Sequence, residues 1–203
     1  VDNGSRDETG AIIDELSRAN ARVRKVRVEV NQGFGYGILQ GLAAARGAWV
    51  GYLGGDGQIA PADVVAVVKR AFDSDCDLAK VNRIVRGDGP LRKLQSAVYN
   101  GLFRVLYFVR YRDINGSPKV MRREVYESIR PESRDWFLDA EIMIGCKERR
   151  FRVADVDVTF LQREKGSSHV RVSTALEVVV SMLAYRFRGG IGHEKLFKRT
   201  RAT

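Results

Sequence analysis

An apolar run from Ala48 to Leu53 stops abruptly at Gly54-Gly55-Asp56-Gly57-Gln58, and Pro61 follows where a helix would open. A buried strand that ends in glycines around one carboxylate places that carboxylate at a strand's carboxyl end. In an open α/β sheet this is where ligands bind, and where an acidic residue holds a divalent cation against a phosphate. The same residues also suit a plain strand-to-helix turn, with glycine for backbone freedom and Pro61 at the first helical position.

The pattern on either side repeats. Ser5-Arg6-Asp7-Glu8 has the form of a capping box, and Ile12, Ile13 and Leu16 follow at helical spacing, which predicts a helix over 7–19. Val26, Val28 and Val30 alternate with Lys25, Arg27 and Glu29 as a strand does. A glycine-rich turn, Asn31 to Gly37, leads to a second helix that stops at Gly47. A helix over 61–73 and a strand over 77–81 continue the alternation, which predicts an α/β fold: a mostly parallel central sheet with helices on both faces. Beyond it lie a long helix over 91–110, a hinge at Asn115-Gly116-Ser117-Pro118, a strand over 119–121, a helical segment over 139–147, strands within 152–161 and a polar loop over 162–169.

Along the long helix, Leu94, Ala97, Val98, Gly101, Leu102, Val105, Leu106 and Val109 form a stripe read as core-facing. Tyr99, Phe103 and Tyr107 form a second apolar stripe, suited either to burial or to a lipid surface. The glycines of Asn31–Gly37 allow close approach to a phosphate ahead of a helix N-terminus, although the loop lacks a P-loop's Lys-Ser/Thr ending. Val1 to Ser5 read as a strand end and a polar loop, so the chain reads as beginning inside a domain.

The order of these motifs says more than any one of them. Asp2-Asn3-Gly4-Ser5, Asn31-x-Gly33-x-Gly35, Gly55-Asp56-Gly57-Gln58, then Arg83, Arg92, Ser96 and Asn100 come in turn. Asp113 to Lys119 with Arg122 and Arg123, Phe137 to Glu141, and Arg163-x-x-Gly166-x-Ser168 complete the series. In this order and spacing the chain, to about His169, resembles family 2 glycosyltransferases of the dolichol-phosphate mannosyltransferase-like group. The resemblance implies a GT-A, Rossmann-like nucleotide-sugar-binding fold and transfer of a sugar, with inversion, from a nucleotide diphosphate sugar of the GDP-mannose or UDP-glucose type. It implies Mg²⁺ or Mn²⁺ at Asp56 and Gln58, and donor contacts at Asp2, Asn31, Gly33, Gly55 and Asp56. Asp56, Asp139, Glu141 and Arg163 stand as catalytic residues, and Arg92, Lys119, Arg163 and Ser168 as contacts to an acceptor phosphate.

Two departures accompany it. Gly54 replaces the first aspartate of the family's Asp-x-Asp, and the family's opening strand, loop and first helix, about 35 to 40 residues by ordinary element lengths, do not precede Val1. A degenerate nucleotide-binding module is therefore the competing reading, alongside a family 2 transferase with a soluble or polysaccharide acceptor.

Composition bears on the partners. Thirty-five Lys and Arg against 25 Asp and Glu give a formal charge of +10 over 203 residues, which favours a polyanion or an anionic membrane surface. No nucleic-acid recognition motif accompanies that charge. Cys76 and Cys146 lack metal-ligand spacing, and His169 and His193 are isolated. An apolar segment, Ala175 to Tyr185, is followed by a basic tail from Arg186 to Arg201, the two-signal arrangement for peripheral attachment. The expected organisation is a GT-A domain over 1–170 and an amphipathic helix with basic tail over 171–203. The domain would lie at the cytoplasmic face of the membrane, with polyprenyl phosphate as acceptor.

Overall fold

The computed structural model describes residues 1–73, 75–86, 90–161 and 172–187, and within them leaves aside the side chains of 85–86, 90–95 and 172–178. The elements are β1 (Asp2–Asn3), α1 (Thr9–Ala19), β2 (Arg27–Val28), α2 (Phe34–Ala44), β3 (Trp49–Tyr52), α3 (Pro61–Asp73), β4 (Leu78–Arg86), α4 (Pro90–Tyr107), β5 (Lys119–Arg122), α5 (Arg123–Ile129), α6 (Leu138–Glu148), β6 (Val153–Phe160) and α7 (Val172–Phe187). The α/β class holds. The strands form a parallel pair, β1–β2, and a four-stranded sheet in the order β3-β5-β4-β6.

That larger sheet keeps the expected common direction in β3, β4 and β6 and carries one reversed strand: β5 runs against both β3 and β4. The cause is the path of the chain after α4. It doubles back along the helix, where the Ile114 amide donates to Asn100 Oδ1 at 2.9 Å, and reaches the end at which β4 emerges. Gly116 fits there only without a side chain, since an added Cβ would collide with the Val81 carbonyl. Entering from that end, Lys119 pairs opposite Lys80 and β5 can only run antiparallel to β4. Asn115–Pro118 is thus a pinned turn, not a hinge.

Alternation along β4 separates two cores. Ala79 and Val81 face α3, meeting Val67 and Ala71 together with Ala154 and Val158 of β6. Leu78 faces the other way, into the larger cluster with Met121, Phe103, Phe137, Leu138 and Ile142. Lys80 follows Leu78 by two residues and is also fully buried. Helix α6 lies at the centre of the larger cluster, buried from Leu138 to Cys146.

Two local expectations are corrected. Helix α1 starts at Thr9, without a capping box: the Ser5 amide donates to Asp2 Oδ1, and Asp7 Oδ1 takes the Thr9 amide instead. On α4 the aromatic stripe faces the core. Phe103 and Tyr107 are buried, with ring centroids 4.9 Å apart and the Tyr107 hydroxyl donating to the Met182 carbonyl; of the aliphatic stripe, Leu102, Leu106 and Val109 pack with the core as expected, while Val98 and Val105 face outward.

Candidate donor and acceptor site

Three strand ends and the loops after them carry the residues singled out in the sequence. In β1, Asp2 is buried; its Oδ1 accepts from the Ser5 amide at 3.0 Å and its Oδ2 pairs with Arg27. The Ser5 bond first, and the Arg27 guanidinium after it, hold this carboxyl down to about 2. Gly4, at φ +74°, makes the turn beside it and packs on the Asn31 backbone.

After β2, Asn31 Oδ1 accepts from the Gly33 amide at 2.9 Å, and Asn3 Nδ2 donates to the Gly33 carbonyl at 3.0 Å, so the first two loops are stitched together. The glycines of the second loop are spent on protein contacts. A Cβ at Gly33 would strike the Arg134 carbonyl and one at Gly35 the carbonyls of Ser133 and Asp135. The Tyr36 amide donates to Arg134 O at 3.0 Å, and Phe34 stacks on Trp136 with centroids 4.1 Å apart. Close approach, predicted here for a phosphate, is made to the 133–136 segment.

After β3, Asp56 is exposed, and its Oδ1 accepts from the Gln58 amide at 3.3 Å. An added Cβ meets no neighbour at Gly55, so this side of the loop is open. Gln58 is buried: its Nε2 donates to the Leu161 carbonyl at 3.1 Å and its own carbonyl takes the Leu161 amide at 2.9 Å. The side chain expected to help bind metal therefore fastens the chain at Leu161, just beyond β6. Among the described residues, no three His, Cys, Asp or Glu side chains form a set able to hold a metal ion. Asp56 fits a cation of the kind that takes one or two carboxylates and draws its remaining oxygens from substrate phosphates and water.

Asp139 and Glu141 lie in the first turn of α6, both buried. Asp139 Oδ1 accepts from the Tyr52 hydroxyl at 2.6 Å and pairs with the ammonium of Lys119. Lys119 is fully buried and also donates to the Gly116 carbonyl at 2.9 Å, so its charge faces a carboxylate and a carbonyl, not the surface where a phosphate would arrive. Burial, and then the Asp139 charge, push the Tyr52 phenol well above its ordinary range. Glu141 Oε2 accepts from the amides of Glu132 at 3.0 Å and Ser133 at 2.8 Å. Arg92 sits in the first turn of α4, with its side chain outside the described residues, and Arg163 and Ser168 lie outside them altogether.

Tyr52 and Arg27 are the residues that sequence reasoning passed over. Tyr52 is hidden within the apolar run, although a phenol near the tip of a buried strand calls for a hydrogen-bond partner. Arg27 reads as the solvent side of an alternating strand.

Comparison with known proteins agrees with this architecture. Residues 1–130 match the family described as glycosyl transferase family 2. The polyprenol monophosphomannose synthase of Mycolicibacterium smegmatis is 31% identical over 201 residues, 93% of this chain and 76% of that protein. Glycosyltransferase AglD of Haloferax volcanii is 29% identical over 176 residues, 84% of this chain and 28% of that protein, so the chain spans only about a quarter of that relative. Glucosyl-3-phosphoglycerate synthase from Mycobacterium tuberculosis, solved with Mn²⁺, uridine diphosphate and glucosyl-3-phosphoglycerate, superposes with a TM-score of 0.68 at 18% identity, over 96% of this chain and 69% of that one. The fold is GT-A.

Proposed function

Since the chain belongs to glycosyl transferase family 2, we propose that it transfers a sugar, with inversion, from a nucleotide diphosphate sugar to polyprenyl phosphate at a membrane surface. The observation that carries this reading is a connected set of three strand ends: Asp2 and Asn3 in β1, Asn31 and Gly33 after β2, and the open turn at Asp56 after β3, the first two bonded to one another. Asp2, Asn31, Gly33 and Gly55 belong to the nucleotide side and Asp56 to the diphosphate. A divalent cation, Mg²⁺ or Mn²⁺, held by Asp56 would offset the charge that grows on the departing diphosphate. An acceptor phosphate oxygen attacks the anomeric carbon while the nucleoside diphosphate leaves. Being already an anion, it needs no strong base to remove a proton. Arg163, Ser168 and Arg92 are the groups we assign to its phosphate.

The acceptor's chemistry is supported by the relatives' names, among them a polyprenol monophosphomannose synthase and a dodecaprenyl-phosphate galacturonate synthase. No described helix is long and apolar enough to cross a membrane. Outward-facing Val98, Val105 and Phe108 at α4, and Val180, Leu183 and Phe187 on α7, with Arg104 and Arg186 among them, suit the headgroup region of an anionic leaflet.

Titration calorimetry with GDP-mannose and with UDP-glucose, each with and without Mn²⁺, tests the donor half. Metal-dependent binding of one of them is expected, abolished by Asp56→Ala. Unchanged binding in Asp56→Ala removes the metal assignment. An added Cβ at Gly54 stands 3.5 Å from Asp56 Oδ1, in ordinary contact, so Gly54→Asp should tighten Mn²⁺ binding by roughly tenfold as a second carboxylate joins the first. Transfer of labelled sugar to polyprenyl phosphate then separates an enzyme from a module that binds without turnover, the reading that Gly54 favours.

A further inference from the structure

We propose that the first turn of α6 belongs to the donor half of the site: Asp139 and Glu141 are positioning residues that lock the loop after β3 to the loop after β2, and neither carboxylate touches the acceptor. The inference rests on the donor reading above and reassigns two residues within it.

Successive helical residues are about 100° apart, so side chains two apart point about 200° away from each other around the axis. Two such carboxylates are poorly placed to share one substrate and well placed to hold two different segments. Asp139 reaches one way. It is 4% exposed, and its Oδ1 takes the Tyr52 hydroxyl at 2.6 Å together with the Lys119 ammonium. Tyr52 is the last residue of β3, and the turn bearing Asp56 begins directly after it. The Ser117 hydroxyl donates to the Tyr52 carbonyl at 3.5 Å, so the end of β3 is held at side chain and backbone alike.

Glu141 reaches the other way. Its Oε2 gathers the amides of Glu132 and Ser133, which fixes the segment whose carbonyls lie against Gly33 and Gly35. A continuous set of contacts therefore runs from the Asp56 turn through Tyr52 and Asp139, across one turn of α6 to Glu141, on to residues 132–135, and so to Gly33, Asn31 and Asn3. Lys119 faces Asp139 as its counter-charge where both side chains are almost fully covered. A general base, by contrast, must come within hydrogen-bond reach of the proton it removes, and a phosphate acceptor has none that needs removing.

Two readouts test this. In hydrogen exchange on the unliganded protein, Tyr52→Phe should speed the amides of residues 53–58, and Glu141→Ala those of residues 31–37, which Glu141 does not itself touch. Unchanged exchange over 31–37 in Glu141→Ala overturns the coupling whether or not the donor reading stands.

In the transfer assay, Tyr52→Phe should raise the donor KM and the Kd for Mn²⁺ with nucleoside diphosphate together, by about tenfold, the effect of one hydrogen bond to a charged group. The KM for polyprenyl phosphate and kcat at saturating donor should stay within about twofold. Glu141→Gln keeps a carbonyl oxygen for both amides and should retain kcat within about threefold. Asp139→Asn alone leaves Lys119 buried without its counter-charge and should unfold readily, so the informative protein is Asp139→Asn with Lys119→Met, a neutral pair that restores folding and most of the turnover. A loss of kcat of roughly a hundredfold or more in Glu141→Gln or in the neutral pair, at saturating donor and with donor Kd unchanged, would place these carboxylates in the acceptor chemistry and sink the assignment. Absence of nucleotide binding by the unaltered protein, with the exchange result as expected, would instead remove the donor reading and leave the coupling intact.

Discussion

Burial alone would push the Asp113 carboxyl up, yet it is held down to about 2, because Arg83 grips it with Nε at 2.7 Å, Nη2 at 2.6 Å and its own amide at 3.0 Å. A carboxyl lowered from 3.8 to about 2 is ionised in both folded and unfolded chains at neutral pH. On acidification the unfolded chain takes its proton first, so the stabilisation, about 2 kcal/mol at neutral pH, is complete above about pH 4 and lost as pH falls toward 2. Asp113→Asn should therefore be clearly less stable than the unaltered protein at pH 7 by urea denaturation, with the gap narrowing between about pH 4 and pH 2. A gap that stays constant over that range would remove the ion-pair account. In the sequence, Asp113 and Arg83 are visible only as members of a spaced series, since a pair 30 residues apart is made by the chain's return along α4 and leaves no local signal. Asp56 was legible for the opposite reason, because the end of an apolar strand is written in adjacent residues.

At the scale of elements, the helix period shows that α4 has apolar stripes and does not say which one the rest of the chain covers. The aliphatic stripe is longer, but the aromatic one has partners suited to it: Phe103 packs on Tyr107, Tyr107 meets Tyr185 and Met182 of α7, and Tyr185 in turn meets Phe137 ahead of α6. Large rings bury more area per residue and so decide the orientation. Phe103→Ala should cost about 3–5 kcal/mol, whereas Val105→Ala, at a position 70% exposed, should change stability by less than about 0.5 kcal/mol. Equal losses in chemical denaturation would mean that α4 sits the other way round. Strand β5 teaches the same lesson. Its apolar and basic residues were readable as a strand, but its direction follows from the pinned turn at Asn115–Pro118, whose need for glycine against Val81 is a contact between distant segments.

For the whole molecule, the outward stripe of α4 gains meaning from what lies beside it. The C-terminal ends of α4 and α7 meet, with the Arg186 guanidinium donating to the Leu106 carbonyl at 3.2 Å and the Tyr107 hydroxyl to Met182 O. Phe108 follows directly on α4 and Phe187 closes α7, each about four-fifths exposed. Arg104, Lys147 and Arg186 stand in the last turns of α4, α6 and α7, on a chain of net charge +10. Aromatics that enter a leaflet and cations that meet its phosphates fail differently, and this allows the membrane reading to be tested by parts. Flotation with vesicles containing an anionic phospholipid should retain the protein, and vesicles of neutral phosphatidylcholine should not. Raising salt from about 0.1 M to about 0.5 M should weaken retention, since screening shortens the reach of the basic surface. Phe108→Ser with Phe187→Ser should lower it by at least about tenfold at either salt, because the apolar contribution is not screened. Retention that ignores lipid charge would exclude the basic surface as the attachment, and retention that survives the paired serines would leave the helix ends without a part in it.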